Sequence, residues 1–160
     1  MRYKVAPPPR SLVFLERARG AIPLVPGDEA DCCRAIQQET DVGDRETAQA
    51  YLVFLRALGL VAESDRGYYR TKRDFEPEQA AEAFRRSVFG VDALVDAFAD
   101  GSLDPDDAFD ALREDIPRWE RERHADWEVV WRERTENLLE WAVEFGLAEK
   151  TAGEYVARRE

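Results

Sequence analysis

The chemistry open to this sequence depends on a few reactive side chains, and their spacing excludes most of what they could do. Two cysteines, Cys32 and Cys33, are adjacent, and the single histidine, His124, lies far along the chain. Neighbouring helical residues point about 100° apart, so the two thiols cannot easily grip one metal ion, and a bond between them would distort the backbone. The reading that fits is one thiol in a core and one at its edge. The run "DPDD" at 104–107 lacks the alternating oxygen ligands and closing glutamate of a calcium loop, and reads as a helix start. Trp119, Trp127, Trp131 and Trp141 could build a stacking surface, but spacings of four and ten on helices place such residues in a core. No nucleophile elbow, phosphate loop, metal-spaced histidine pair or carboxylate dyad occurs in a recognisable context. The expectation is a protein that is not an enzyme and uses no cofactor and no metal.

The elements that would carry any other function come from composition and pattern. A chain of 160 residues, 44% hydrophobic, suits one ordinary domain or two small ones sharing a core. No stretch approaches the roughly 20 apolar residues needed to span a bilayer, and "MRYKVAPPPR" has no apolar core of a signal peptide. With adjacent cysteines that cannot staple distant elements, this predicts a cytoplasmic protein without membrane contact. The net charge of −11 is uneven: residues 1–74 hold 12 basic and 11 acidic side chains, and residues 75–160 hold 11 and 23. Arg outnumbers Lys 20 to 3. This acidic, arginine-rich composition fits a salt-loving organism, where acidic surfaces keep proteins hydrated and soluble.

Along the chain, "SLVFLERAR" predicts a first helix after the proline lead, and "DEADCCRAIQQET" a second, opened by acidic residues. "DVG" is a tight connection, and Asp44 can cap a third helix, Arg45 to Leu58, with Ala48, Tyr51, Leu52, Leu55 and Leu58 at helical spacing. Gly59 stops it. "LVAES" and "YYRTKR" are short strand-like runs joined by "DRG". Residues 75–160 are helical by pattern, with Pro77 and the Asp104–Pro105 pair opening helices, and a long helix from about Asp126 to Phe145. The phrase "LGLVAESDRGYYRTKRD" at 58–74 returns as "FGLAEKTAGEYVARRE" at 145–160. Shifted by 87 positions the preceding helices align without a gap: Tyr51 meets Leu138, Phe54 meets Trp141 and Leu58 meets Phe145. In this alignment the hairpin turn of the second copy is one residue shorter.

The order helix, helix, tight turn, helix, hairpin in residues 11–74 resembles the winged helix-turn-helix family, most specifically through "YLVFLRALGLVAE…GYYR". The C-terminal half looks like a second, degenerate winged helix. The resemblance implies a mainly α fold with two small β hairpins: one winged-helix unit over 1–74, and a helical region over 75–160 ending in the second. Most of that family binds DNA, and many members make only protein contacts. In DNA-binding relatives the third helix enters the major groove and the wing touches the backbone. Carried over, the base-reading residues are Arg45, Thr47 and Gln49, since Arg pairs with guanine and Gln with adenine. Aligning Tyr69 with Tyr155 turns both inward, so alternation turns Tyr68, Arg70 and Lys72 outward beside Arg66. In the second wing their counterparts are Glu154, Val156 and Arg158, so only the first looks suited to phosphate. The resemblance thus points to transcription control through DNA.

The outer face of the third helix complicates this. Glu46, Ala50, Val53 and Ala57 form a small, apolar stripe opposite the core stripe, and a helix apolar on two faces is usually covered on both. Ala50, Val53 and Ala57 are therefore expected to pack against the second half, a homodimer copy or another protein. A protein-interaction module without DNA binding is the alternative. The equivalent face of the late helix, Glu133, Asn137, Glu140 and Glu144, is solvated and hostile to phosphate.

Overall fold

The computed structural model describes residues 5–123 and 125–158. The first unit consists of α1 (Leu12–Ala21), α2 (Glu29–Glu39), α3 (Arg45–Ala57) and the hairpin β1 (Val61–Ser64) and β2 (Gly67–Arg70). The second consists of α4 (Pro77–Ser87), α5 (Val91–Phe98), α6 (Pro105–Arg113), α7 (Arg118–Arg123), α8 (Trp127–Glu144) and the hairpin β3 (Ala148–Thr151) and β4 (Glu154–Ala157). The fold is mainly α, with two antiparallel two-stranded sheets.

Helix starts follow the side chains that satisfy free N–H groups. Ser11 Oγ accepts from Phe14 N, Asp28 from Asp31 N and Asp44 from Thr47 N. Asp104 and Asp107 form a reciprocal capping box, so "DPDD" is a helix start. Among the described residues, no group of three or more His, Cys, Asp and Glu is placed to hold a metal ion. His124 lies outside those residues. None of their helices is long and apolar enough to cross a membrane.

The two units share local geometry down to single hydrogen bonds. Gly59 (φ 75°) and Gly146 (φ 76°) end α3 and α8 in the left-handed region that glycine favours. Leu60 N then donates to Leu55 O as Leu147 N does to Ala142 O, and Thr71 N to Leu60 O as Arg158 N does to Leu147 O. A third, minimal strand bridges each wing, with Gly27 pairing with Tyr68 and Leu103 with Tyr155. The offset is 76 at these bridges and at the caps Asp28 and Asp104, but 87 on the wing strands. The difference of eleven residues lies between α6 and α8, where α7 is inserted.

One apolar core runs through both units, from Phe14, Leu15 and Ile36 to Phe84, Leu139 and Trp141. At the junction Phe54 lies 4.7 Å from Trp141, and Phe145 stacks on Trp141 and packs against Phe84. The proline lead ties the units together: Tyr51 Oη donates to Pro8 O (2.6 Å) and Trp141 Nε1 to Pro7 O (2.7 Å). A smaller cluster of Phe109, Ile116 and Trp131, flanked by Trp127, lies under the inserted segment. Trp131 and Trp141 are thus core residues, Trp127 is half-buried and Trp119 is largely exposed. Cys32 and Cys33 are both buried, so neither lies at an edge. Burial pushes the Cys32 thiol up to about 11, helped by Cys33 and Asp28.

The hairpins correct one register. Val61 pairs with Arg70 and Ser64 with Gly67; Ala148 pairs with Ala157 and Thr151 with Glu154. Both loops have two residues, and no residue is lost from the second. The two glycines misled the alignment because they do different jobs. Gly153 lies in its loop at φ 82°, beside Ala152 at φ 53°. Gly67 is a strand residue at φ 127°, where a Cβ would run into the carbonyl of Gly27. Tyr155 is therefore equivalent to Tyr68, not Tyr69.

Candidate nucleic-acid interface

Helices α2 and α3 meet at a turn that buries Val42, while Thr40 Oγ1 donates to Ile36 O at 2.6 Å. This turn sets the N-terminal residues of α3 at the surface. Arg45 and Gln49 are exposed and Thr47 is half-exposed. Burial and Glu29 push the Cys33 thiol up, and the neighbouring Arg45 guanidinium opposes that rise. Thr47 Oγ1 donates to Asp44 Oδ2 (3.0 Å), completing the cap, and Gln49 Nε2 donates to Glu29 Oε1 (2.7 Å). Arg45 alone of the three has no carboxylate partner among the described residues; Gln49 must leave Glu29 to meet a base.

The wing differs from the alternation expected of it. Tyr68 is buried, 7% exposed, and Tyr69 is half-exposed. The bridge to Gly27 is made by the Tyr68 backbone, and its hydroxyl lies near the Glu63 carboxylate, which pairs with Arg56 at 2.6 Å. Tyr68 is thus a packing residue of the wing, and Tyr69 is the aromatic that reaches solvent. Arg66 is exposed at the wing tip, Arg70 is half-exposed, and Lys72 is exposed beyond the end of β2. Arg66, Arg70, Lys72 and the exposed Arg73 form no ion pair among the described residues.

A buried arginine that the sequence reading passed over fixes the base of this wing. Arg19, 9% exposed, donates from Nε to Leu60 O (3.2 Å) and from its terminal nitrogen to Thr71 O (2.8 Å) and Arg73 O. The chain therefore leaves the strand after Arg70 and turns under α1, carrying Lys72 and Arg73 outward. The signal was present: Arg19 continues the core face of α1 made by Leu15, Ala18 and Ile22.

The outer stripe of α3 is graded. Glu46 is exposed, Ala50 and Val53 are half-buried, and Ala57 is buried at 6%. Ala57 belongs to the continuous core, three residues after Phe54, which meets the second unit.

On α8 the positions equivalent to Arg45, Thr47 and Gln49 are Arg132, Arg134 and Glu136. Arg132 is paired with Asp106 and lies over Phe109, and Arg134 is paired with the buried Glu120 of α7. The wing residues Arg66, Tyr69 and Arg70 become Gly153, Val156 and Ala157. The same skeleton thus appears twice with opposite surfaces. A family model described as the halobacterial double winged helix domain matches residues 1–160. The chain belongs to this family. No curated protein and no solved structure is matched by it. The double winged helix accounts for the duplicated hydrogen-bond pattern. Its fold class is one used for DNA binding and regulation.

Proposed function

We propose that this double winged helix protein is a non-enzymatic, cytoplasmic transcriptional regulator that binds duplex DNA through its first unit. The N-terminal turns of α3 enter the major groove, and the β1–β2 wing lies on the backbone. The supporting observation is the clustering of Arg45, Arg66, Arg70, Lys72 and Arg73 on one helix end and one wing, without ion pairs among the described residues. Arg45 suits the O6 and N7 acceptors of guanine, and Gln49 an adenine once released from Glu29. The wing cations and Tyr69 suit phosphate and sugar.

The test is an anisotropy titration against genomic duplexes in concentrated potassium chloride, matched to a halophilic interior. Arg66→Ala and Lys72→Ala should each weaken binding to all sequences alike and lower the slope of log K against log salt by about 1. Arg45→Ala should cost about 1–3 kcal/mol and relax preference at one base pair. Binding that none of these changes alters would remove the proposal. The half-exposed Ala50 and Val53 favour a second reading, in which this stripe meets a protein partner or a second copy and no DNA is bound. Sedimentation of the free chain as a dimer, with no duplex bound, would select it.

A further inference from the structure

We propose, resting on the DNA-binding reading above, that the chain reads a single asymmetric DNA site as a monomer. The second unit fills the place that a second protomer takes in a two-fold dimer, but it reads nothing.

Phe54 and Trp141 occupy equivalent positions in the two units, 87 residues apart, and their rings touch at 4.7 Å. Contact between equivalent positions is what a two-fold, self-complementary interface produces. Both side chains are buried, and Phe84 and Phe145 seal the contact. The surface through which the first unit could meet another copy about this axis is therefore already filled from within the chain.

The internal partner keeps the dimer's geometry without its second reading head. Its α8 begins in the cluster formed with Phe109, Ile116 and Trp127, so the end that would probe a groove is covered by the α7 segment. The two arginines on that end are held by Asp106 and Glu120. Glu133, Glu136 and Glu144 are exposed along the rest of the helix. The second wing offers Gly153, Val156 and Ala157 where the first offers Arg66, Tyr69 and Arg70. Steric cover and like charge against phosphate thus agree. Two-fold dimers require inverted repeats spaced by about one helical turn; a pseudo-dimer with one competent half does not. The acidic half also fixes which way the protein lies on the duplex, because repulsion opposes the reversed orientation.

The experiment uses the full chain in concentrated potassium chloride and duplexes enriched from a random pool. The selected site is presented once, or as an inverted repeat with centres about one turn apart. Sedimentation velocity gives stoichiometry, and anisotropy gives affinity and cooperativity. The expected result is an enriched sequence without inverted symmetry, bound one to one. The repeat then takes two molecules with a Hill coefficient of about 1 and a per-site Kd within about twofold of the single site. A palindromic enriched sequence, or a repeat bound more than about tenfold tighter by a cooperative pair, would overturn this inference while leaving DNA binding intact. Failure to retain any duplex would instead overturn the DNA-binding reading, and this inference with it.

Discussion

Tyr68 and Tyr155 hold the same place in the two wings, and each hydroxyl is met by a glutamate beside a cation, yet the charges are arranged in opposite ways. In the first unit the carboxylate is on the strand, at Glu63, and the cation on the helix, at Arg56. In the second, Glu140 on α8 accepts from Tyr155 Oη (2.7 Å) and from Lys150 Nζ on the strand (2.9 Å). The fold needs an acceptor for a buried phenol and a countercharge for that acceptor. It does not specify which element supplies either one. Surface charge is therefore free to diverge while the skeleton stays fixed, which is how one unit keeps a basic wing and the other becomes acidic.

The strongest way to break the comparison is to attack the contact where the units are equivalent. Trp141→Ala removes the largest side chain at the junction together with its hydrogen bond to Pro7 O. Phe54→Ala removes its partner. Each should cost about 3–5 kcal/mol, and the whole chain should melt in one transition because the core is continuous. Calorimetry resolving two transitions, with only one shifted, would show that the units fold independently.

Next in size is the pair of glycines whose roles differ. Gly67→Ala places a Cβ against the Gly27 carbonyl at φ 127° and should cost about 3 kcal/mol. Gly153→Ala meets open space at φ 82° and should cost only about 1 kcal/mol. Urea melts of the two variants give the ratio. Equal losses would mean that the Gly27–Tyr68 bridge does not constrain the first wing.

A smaller effect is alkaline. Burial, with Glu63 adjacent, pushes the Tyr68 hydroxyl from 10.0 up to about 12, and burial pushes Cys32 from 9.0 up to about 11. Both are raised, so the unfolded chain loses these protons first. The stabilisation is complete below about pH 9 and declines as pH rises through about 11 and 12. Melting temperature should fall over that window, and Tyr68→Phe should flatten its upper part. A profile identical to the parent's would show that Tyr68 titrates freely.

Much of this architecture was legible in the sequence because it is written in local chemistry. Asp44 and Asp104 announce helix starts, Gly59 and Gly146 announce stops, and apolar spacing from Ala48 to Leu58 marks the buried face of α3. What was not legible depends on contacts between distant segments. The orientation of Tyr68 is decided by the bridge to Gly27, and the glycine after "DR" resembles a turn residue although it is a close-approach residue. The role of Arg19 depends on the distant carbonyls of Leu60, Thr71 and Arg73, which converge on it. The eleven-residue insertion carrying α7 could not be seen because the first half of the repeat keeps almost no side chains in common. Among the proposed contacts, the exposure of Arg45 and Arg66 follows from the helix start and the hairpin loop alone, whereas Arg70 shares the face of the buried Tyr68 and is only half-exposed. Tyr69 could not be placed in this way.

The smallest predicted effect tests the exchange of charge between wing and helix. Val53 is equivalent to Glu140, and Glu63 to Lys150, so Val53→Lys would build in the first unit the mirror of the second unit's pair. Val53 is only half-buried, and Glu63 lies on the strand that faces it in the equivalent arrangement. The new ammonium thus has a carboxylate within the geometry already realised by Glu140 and Lys150. Partly exposed ion pairs are worth little, about 0–1 kcal/mol, and here the introduced ammonium would compete with Arg56 for Glu63. Stability should therefore change by less than about 1 kcal/mol, far less than expected for a charge forced into a closed interface. Because the added charge lies on the proposed groove face, DNA affinity should rise and its salt dependence should steepen by about 1 in slope. A loss of several kcal/mol, or a dimer converted to monomer, would place Val53 inside a protein contact and move the function of α3 from DNA to a partner.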